Sequence, residues 1–460
     1  MQKKGVVSGA IVFLRQDMEL SNIQIEVAVA STILSAAVSA WFGEYLLDHK
    51  GRKQTLVYAS IIFIAGSLLM ACAFGPDKGY GMLVVGRIII GVAIGFASEA
   101  GPLYISECAP PNLRGSLTTL FNVAVVGGQV FASILCGMLS TLPVHYNWRL
   151  MLAFGCVPAL AQMLGFMSLP LSPTWLVLQG RKEDAERVLY QIRNTNDHAV
   201  GGDPIQHELH DIVEEHELAK QVEHVRLGDL WRNNLPIRRA MILGCGLWAI
   251  SQLAGINTIM YYGASIVKKT GIGEGNLSFD IWITVPLNMM QLLGIFVCYY
   301  MIDRAGRRPT LLTSMTMVWI SLLLIGIGFS LDAAKLTVMA MCMYLFSFGV
   351  GLSTMPYTVN AEIYPTEYRG LCVAQSTAVF WFSNFIVSLT FLTCARYMGN
   401  DGVFYFYTAI VIIGEIYFYY NMPETNGKSF HEVQQLFADG RTEVLPAPDA
   451  TQTNSQGILV

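Results

Sequence analysis

Charge is what this sequence lacks most. Only 13% of its 460 residues are charged, about half the share of a soluble domain. That scarcity excludes an ordinary soluble enzyme. A disordered chain is excluded too, because 53% of the residues are hydrophobic. There is no basic excess, with 29 Lys and Arg against 33 Asp and Glu, so no nucleic-acid partner is expected. The nine cysteines form no CxxC pair and lie in apolar runs or at their edges. They read as small apolar fillers rather than metal ligands or a disulfide framework. The eight histidines show no metal spacing, and no GxSxG-like elbow occurs. Residues 349–353, GVGLS, are helix-packing glycines within an apolar run and not a phosphate loop. No enzymatic chemistry and no cofactor is expected. The basic, briefly apolar start carries no convincing cleavage pattern of a signal peptide.

What is abundant is apolar length. Runs lie at 6–14, 26–47, 55–74, 82–105, 117–139 and 150–169, and again at 240–267, 281–302, 311–331, 336–359, 371–394 and 403–421. A helix needs about 20 apolar residues to cross the hydrocarbon core. The pattern predicts an all-α membrane protein with six spans, a break and six more. Its first run of nine residues is too short to cross alone. We expect a truncated first helix, or a natural beginning further upstream.

The break, at about 177–239, is charged. Its segment 181–193 sets Ala185, Val188, Leu189 and Ile192 on one helical face, and 207–224 is strongly acidic. Both read as amphipathic helices on the membrane face. Lys and Arg concentrate on the side of the break, which predicts a cytoplasmic break and two cytoplasmic termini. The expected division is 1–170 as an N-terminal six-helix half, 171–239 as a cytoplasmic helical linker, 240–422 as a C-terminal half and 423–460 as a partly disordered cytoplasmic tail.

Two motifs recur. DHKGRK at 48–53 matches DRAGRR at 303–308, and ECAPPNLRG at 107–115 matches EIYPTEYRG at 362–370. Asp48 and Asp303 stand 255 apart, and so do Glu107 and Glu362. Two matches at one offset imply two homologous halves. Each motif sets acids beside cations at helix ends on the side of the break. Taken singly they read as turn chemistry and topogenic charge. Paired, Asp48, Arg52, Glu107 and Arg114, with Asp303, Arg307, Glu362 and Arg369, read as a gating network that closes in one state and parts in the other.

With these motifs stand GVVSGA (5–10), GRIIIGVAIGFAS (86–98), GGQVFAS (127–133), QLAGINTIMYY (252–262), FSNFIVSLTFL (382–392) and PETNGKS (423–429). Together they resemble the sugar porter family of the major facilitator superfamily, most closely its proton/myo-inositol cotransporters. The resemblance runs over nearly the whole chain. It implies a major facilitator fold of two six-helix halves, with a sugar or polyol bound between them and carried by alternating access. The membrane lipid is the surrounding partner, protons are a further candidate partner, and the plasma membrane is the expected location.

The resemblance places substrate contacts at Gln129, Gln252, Asn257, Gln291, Tyr357 and Asn384. It also marks departures. Ser251 and Phe380 stand where the family has a Gln and an Asn, and Tyr357 where it has a Trp. Lys3 holds the place of the coupling Asp whose partner is Arg87. Leu171 and Thr174 replace the Glu and Arg of a gate motif. Glu99, deep in the fourth span, is the other coupling candidate, although a protonated or paired carboxyl lining the cavity is the simpler reading.

The residues support the same site. Amides pair a donor and an acceptor, the natural match for a polyol, and an aromatic face can stack on its ring. Inside a span such amides otherwise serve to join helices by hydrogen bonds. Two other functions remain open: an uncoupled hexose facilitator, and a non-transporting sensor or inactive truncated isoform.

Overall fold

The computed structural model describes residues 3–74, 76–110, 114–193, 204–222, 227–271, 276–364, 368–428 and 430–439. Every regular element among them is a helix. Before the break come α1 (Lys3–Asp17), α2 (Asn22–Lys50), α3 (Arg52–Ala71), α4 (Pro76–Cys108), α5 (Arg114–Leu139), α6 (Val144–Ala153) and α7 (Cys156–Ser168). Four helices fill the break: α8 (Pro173–Leu178), α9 (Lys182–Arg193), α10 (Pro204–Val222) and α11 (Leu227–Asn233). After it come α12 (Leu235–Leu253), α13 (Ile256–Thr270), α14 (Leu277–Trp282), α15 (Thr284–Arg304), α16 (Arg307–Ser330), α17 (Ala334–Val350), α18 (Met355–Ile363), α19 (Arg369–Asn421) and α20 (Phe430–Asp439).

Among the described residues, ten stretches are long and apolar enough to cross a membrane, and one of them, Leu371–Asn421, has 51 residues. At about 1.5 Å per residue that is more than twice a hydrocarbon core. It bends at Gly399, whose φ of 81° lies outside the helical region, so its two arms account for the last two apolar runs. Trp41, Leu164, Phe296 and Ile413 are exposed on the outside of the bundle. A belt of this kind is a lipid-facing surface rather than a water-facing one.

The apolar runs mark helix centres and not their ends. The first, nine residues in sequence, lies in a 15-residue helix, because polar flanks complete a helix as readily as apolar ones. At about 22 Å it still falls short of a full crossing. Its end is anchored: Asp17 accepts from Trp148 Nε1 at 2.9 Å and from Arg149 at 3.2 Å, and Arg149 also holds the Ala73 carbonyl at 2.9 Å. The second helix starts at Asn22, four residues before its apolar run. Ser21 and Gln24 cap it reciprocally, at 2.8 and 3.3 Å. The seventh run is split between α12 and α13 at Gly255, whose φ is 83°.

In the break, α9 buries Ala185 and Leu189 as its spacing implies. Within the tail, the described segment 430–439 is folded. That segment is helix α20, whose Val433, Leu436 and Phe437 are buried. It is held by Arg239 on the Phe437 carbonyl at 2.8 Å and by Gln434 on the Ile363 carbonyl at 2.8 Å. The face carrying α8–α11 and α20 is called the near face below, and the opposite one the far face.

Candidate substrate site and gates

At the near face the repeated motifs build matching clusters. Arg52, just after the α2–α3 turn, donates to Glu107 at the end of α4 at 2.9 Å, to the Leu47 carbonyl at 3.2 Å and to Asp48 at 3.4 Å. Arg307, just after the α15–α16 turn, donates to Glu362 at 2.9 and 3.1 Å and to the Ile302 carbonyl at 3.1 Å. Each Arg–Glu pair is separated by 55 residues. Gly51 and Gly306 make the turns with φ of 86° and 94°, left-handed values that glycine adopts without strain. The side chains of Arg114, Asp303 and Arg369 lie outside the described residues.

The clusters differ in what completes them. After the break helices, Thr425 donates to Glu362 at 2.5 Å and Asn426 accepts from Arg307. Glu424 accepts the backbone N–H groups of Arg307 and Arg308 at 2.9 and 3.0 Å. It thereby caps the N-terminus of α16, where an anion is favoured. In the first cluster Ser172 donates to Glu107 in the role of Thr425, but Leu171 has no carboxylate to cap α3. The loss expected from Leu171 and Thr174 is therefore partial. Ser172 supplies a contact that the departures alone did not reveal. We expect Glu424→Gln to lower the thermal stability of the chain by about 1 kcal/mol, read as a lower unfolding temperature. An unchanged value would show that the cap contributes nothing.

Deeper in the bundle the amides fall into two groups. Gln252 accepts from Asn257 Nδ2 at 2.6 Å and donates to Ser251 at 3.0 Å. One helical turn before Gln252, the Trp248 ring meets Tyr357 at 4.6 Å and Phe380 at 4.7 Å, both edge-on. Phe380 lies one turn before Asn384, whose Oδ1 accepts from Ser388 at 3.2 Å. Trp248 and Phe380 thus tie the Gln252, Tyr357 and Asn384 helices together. The second group joins α5 to α15. Asn288 donates to Ser133 at 2.5 Å, with Gln129 one turn before Ser133 and Gln291 one turn after Asn288. The position one turn from Gln291 thus serves as a helix-joining contact, while Gln291 itself does not.

Among the described residues, Gln129 Oε1, Gln291 Oε1 and Asn384 Nδ2 are buried and have no hydrogen-bond partner. Trp381 Nε1 and Thr354 Oγ1 share that state. A buried polar atom left unpaired costs about 1–3 kcal/mol. Gln129, Gln291, Asn384 and Trp381 lie within helices, and the same state recurs outside the candidate site, at Asn22, Thr32 and Ser67 among others. Trp248, Thr354 and Trp381 were not among the sequence candidates. A Trp or Thr in a span carries no polar signal strong enough to separate it from packing.

A family model described as "Sugar (and other) transporter" matches residues 6–437. The chain belongs to this sugar transporter family. The proton myo-inositol cotransporter of Homo sapiens is 31% identical, over 94% of this chain and 79% of that protein. The galactose-proton symporter of Escherichia coli K12 is 32% identical, over 95% of this chain and 91% of that one. The partially occluded, inward-open structure of the xylose transporter XylE from E. coli superposes with a TM-score of 0.78 at 22% identity, covering 93% of this chain and 95% of that one. The fold is that of the major facilitator superfamily, as the motifs implied.

The coupling candidates fare differently. Arg87 is buried on α4 and donates from Nε to the Ala28 carbonyl at 2.8 Å. Lys3 heads α1, and its side chain lies outside the described residues. Glu99, also on α4, packs against Gly43 of α2, where an added Cβ would strike its carboxylate. Twelve residues of helix, about 18 Å, separate it from Arg87. Glu415 accepts from Thr316 and so joins the last span to α16. Asn276, in an Asn-Leu-Ser triplet that fits a glycosylation signal, caps α14 through Phe279 N at 3.3 Å.

Proposed function

We propose that this chain is a plasma-membrane carrier for myo-inositol or a closely related polyol or hexose. It works by alternating access between two halves, residues 1–170 and 240–422, joined by the cytoplasmic linker 171–239. The near face is the cytoplasmic one, and the tail 423–460 lies on the same side. The observation that carries the reading is the set of unpaired buried amide atoms. Gln129 and Gln291 each present an acceptor, and Asn384 presents a donor. A polyol hydroxyl satisfies either kind, whereas an ion or an apolar molecule does not. Gln252 and Asn257 extend the amide set, and Tyr357 supplies the flat ring.

Hydrogen bonds join the two halves at the far face and in mid-helix: Ser140 to Ser278 at 2.7 Å, Ser133 to Asn288 at 2.5 Å and Thr393 to Glu26 at 2.8 Å. Each near-face cluster pairs an Arg and a Glu of one half, completed by Ser172 of the linker or by Glu424, Thr425 and Asn426 of the tail, and the described bonds of neither cluster reach the other half. That distribution supports a carrier closed at the far face, with Asp48, Arg52, Glu107, Arg114, Asp303, Arg307, Glu362 and Arg369 as the near-face gate.

Removing one amide should leave a bound hydroxyl unpaired and weaken binding by about 1–3 kcal/mol, roughly 5- to 150-fold in Kd. Gln252→Ala is the sharpest test, since Ser251 offers no second amide. Calorimetric titration of the purified chain with myo-inositol and with hexoses reads the effect. Parental affinity for all of them would refute the site.

A second reading, facilitated transport without proton drive, is favoured by Lys3. A cation in that place cannot form the proton-accepting state opposite Arg87, and Glu99 is too distant to replace it. Vesicle uptake should therefore show little accumulation under an inward proton gradient. Strong gradient-driven accumulation that is abolished by Glu99→Gln would assign the coupling to Glu99.

A further inference from the structure

The amides have a neighbouring layer of opposite character. Helices α12 and α19 both start at the near face. Trp248 and Phe380 therefore lie one turn, about 6 Å, nearer to that face than Gln252 and Asn384 on the same two helices. Tyr357 of α18 joins them. Trp248 holds the centre: its ring meets Tyr357 at 4.6 Å with the planes at 88°, and Phe380 at 4.7 Å with the planes at 64°. Trp381 continues the layer, 5.0 Å from Phe380. Edge-to-face contacts of this kind add to plain burial and fix the rings against one another. Together the rings of Trp248, Tyr357, Phe380 and Trp381 make one aromatic wall beside the amides.

The wall faces inward. Phe382 and Ile386 are 63% and 39% exposed and mark the outer side of their helix. Two residues turn a helix by about 200°, so Phe380 and Asn384 stand on the opposite side. Trp248 and Trp381 are buried, while Phe380 and Tyr357 are only half-buried. A half-buried ring on the inner side of its helix borders the space between helices. One turn deeper on that side stands Asn384, whose Nδ2 is among the buried unpaired atoms.

The two layers differ in what they can hydrogen-bond. Each amide offers donors and acceptors. In the wall, the indole Nε1 atoms of Trp248 and Trp381 only donate, and the single hydroxyl is that of Tyr357. Trp381 Nε1 is itself buried without a partner. A ligand hydroxyl set against the wall can accept from an indole, but its own proton then meets ring faces. A methyl ether oxygen needs only a donor, and its methyl group is apolar surface that the rings can cover.

We propose that the preferred substrate is a cyclic polyol with one apolar edge, in which a methyl ether replaces one hydroxyl. Its free hydroxyls lie on the amides and its O-methyl group lies against Trp248, Tyr357 and Phe380. myo-Inositol, with a hydroxyl on every ring carbon, must set at least one of them against the wall and is bound less tightly. This specificity deepens the carrier reading and rests on it.

The test is calorimetric titration of the purified full chain with myo-inositol and with each of its mono-O-methyl ethers. At least one ether should bind about tenfold more tightly than myo-inositol, because the unmethylated compound leaves a hydroxyl proton unpaired. Phe380→Asn places a donor and an acceptor in the wall. It should cancel or reverse the preference, tightening myo-inositol while weakening the ether. Phe380→Leu keeps the position apolar and should retain the preference.

A parent chain that binds every ether no better than myo-inositol would overturn the proposal without recourse to any variant, and would leave the carrier reading intact. An ether preference that Phe380→Asn leaves unchanged would also overturn it, since the wall would not be its source. So would binding of a hexose but of no cyclitol, again with the carrier reading standing. If neither cyclitols nor hexoses bind, the carrier reading fails and the specificity fails with it.

Discussion

Arg307→Ala should lower myo-inositol uptake about tenfold while leaving its Kd within about threefold of the parent. Arg307 makes two bonds to Glu362 and one each to the Ile302 carbonyl and Asn426. Its side chain is 15% exposed and that of Glu362 is 28% exposed. Breaking such a partly buried pair leaves a carboxylate held by Thr425 alone. A shift of about 1.4 kcal/mol between carrier states changes their ratio tenfold. No substrate contact is touched, so the effect falls on the interconversion and not on the pocket. Arg52→Ala should act in the same direction and more strongly. Its partner Glu107 is only 8% exposed, and Asp48, which also bonds Arg52, would be left beside it. Radiolabelled uptake at matched expression, set beside equilibrium binding, separates the two parameters. Normal uptake in both variants would remove the gate assignment.

Gly255→Val should abolish both binding and a stable fold of the purified chain. With φ at 83°, this residue ends α12 and starts α13. A Cβ there would stand 2.6 Å from the Tyr407 ring. A left-handed conformation costs an ordinary L-residue about 1–2 kcal/mol and a β-branched one more. The ring clash adds overpacking of about 1–3 kcal/mol. Tyr407 also bonds Thr258 at 3.1 Å, so its displacement disturbs the turn that presents Asn257 to Gln252. Gly255→Ala should show the same loss in milder form. Thermal unfolding and inositol titration of both variants check this, and parental values for Gly255→Val would mean that the helix break has no role in the site.

The near-face clusters were legible because their information is local and duplicated. A charged turn and an acid 55 residues on, repeated at a fixed offset, specify which groups meet without knowledge of packing. The partners that complete each cluster were less legible. Ser172 stands among residues that break the motif, and the capping role of Glu424 depends on where the chain returns after α19. The amides stood out in sequence as polar residues in spans, yet sequence could not sort them. Asn288 is spent on Ser133 and Gln291 is not, a difference that exists only once α5 and α15 face each other. Glu26 shows the limit most clearly. It stood at the edge of an apolar run like any interfacial acid, and its partner lies 367 residues away across the contact of α2 with α19. No local pattern carries that contact.

Counterflow in proteoliposomes tests the central claim most directly, because it needs no gradient and no assumption about coupling. Vesicles holding the purified chain are loaded with unlabelled myo-inositol and diluted into a trace of the labelled compound. A polyol carrier working by alternating access should show transient, saturable accumulation of label. Gln252→Ala should weaken it at low substrate, and Arg307→Ala should slow it. Label entry no faster than in empty vesicles, for myo-inositol and for each hexose tried, would contradict the account.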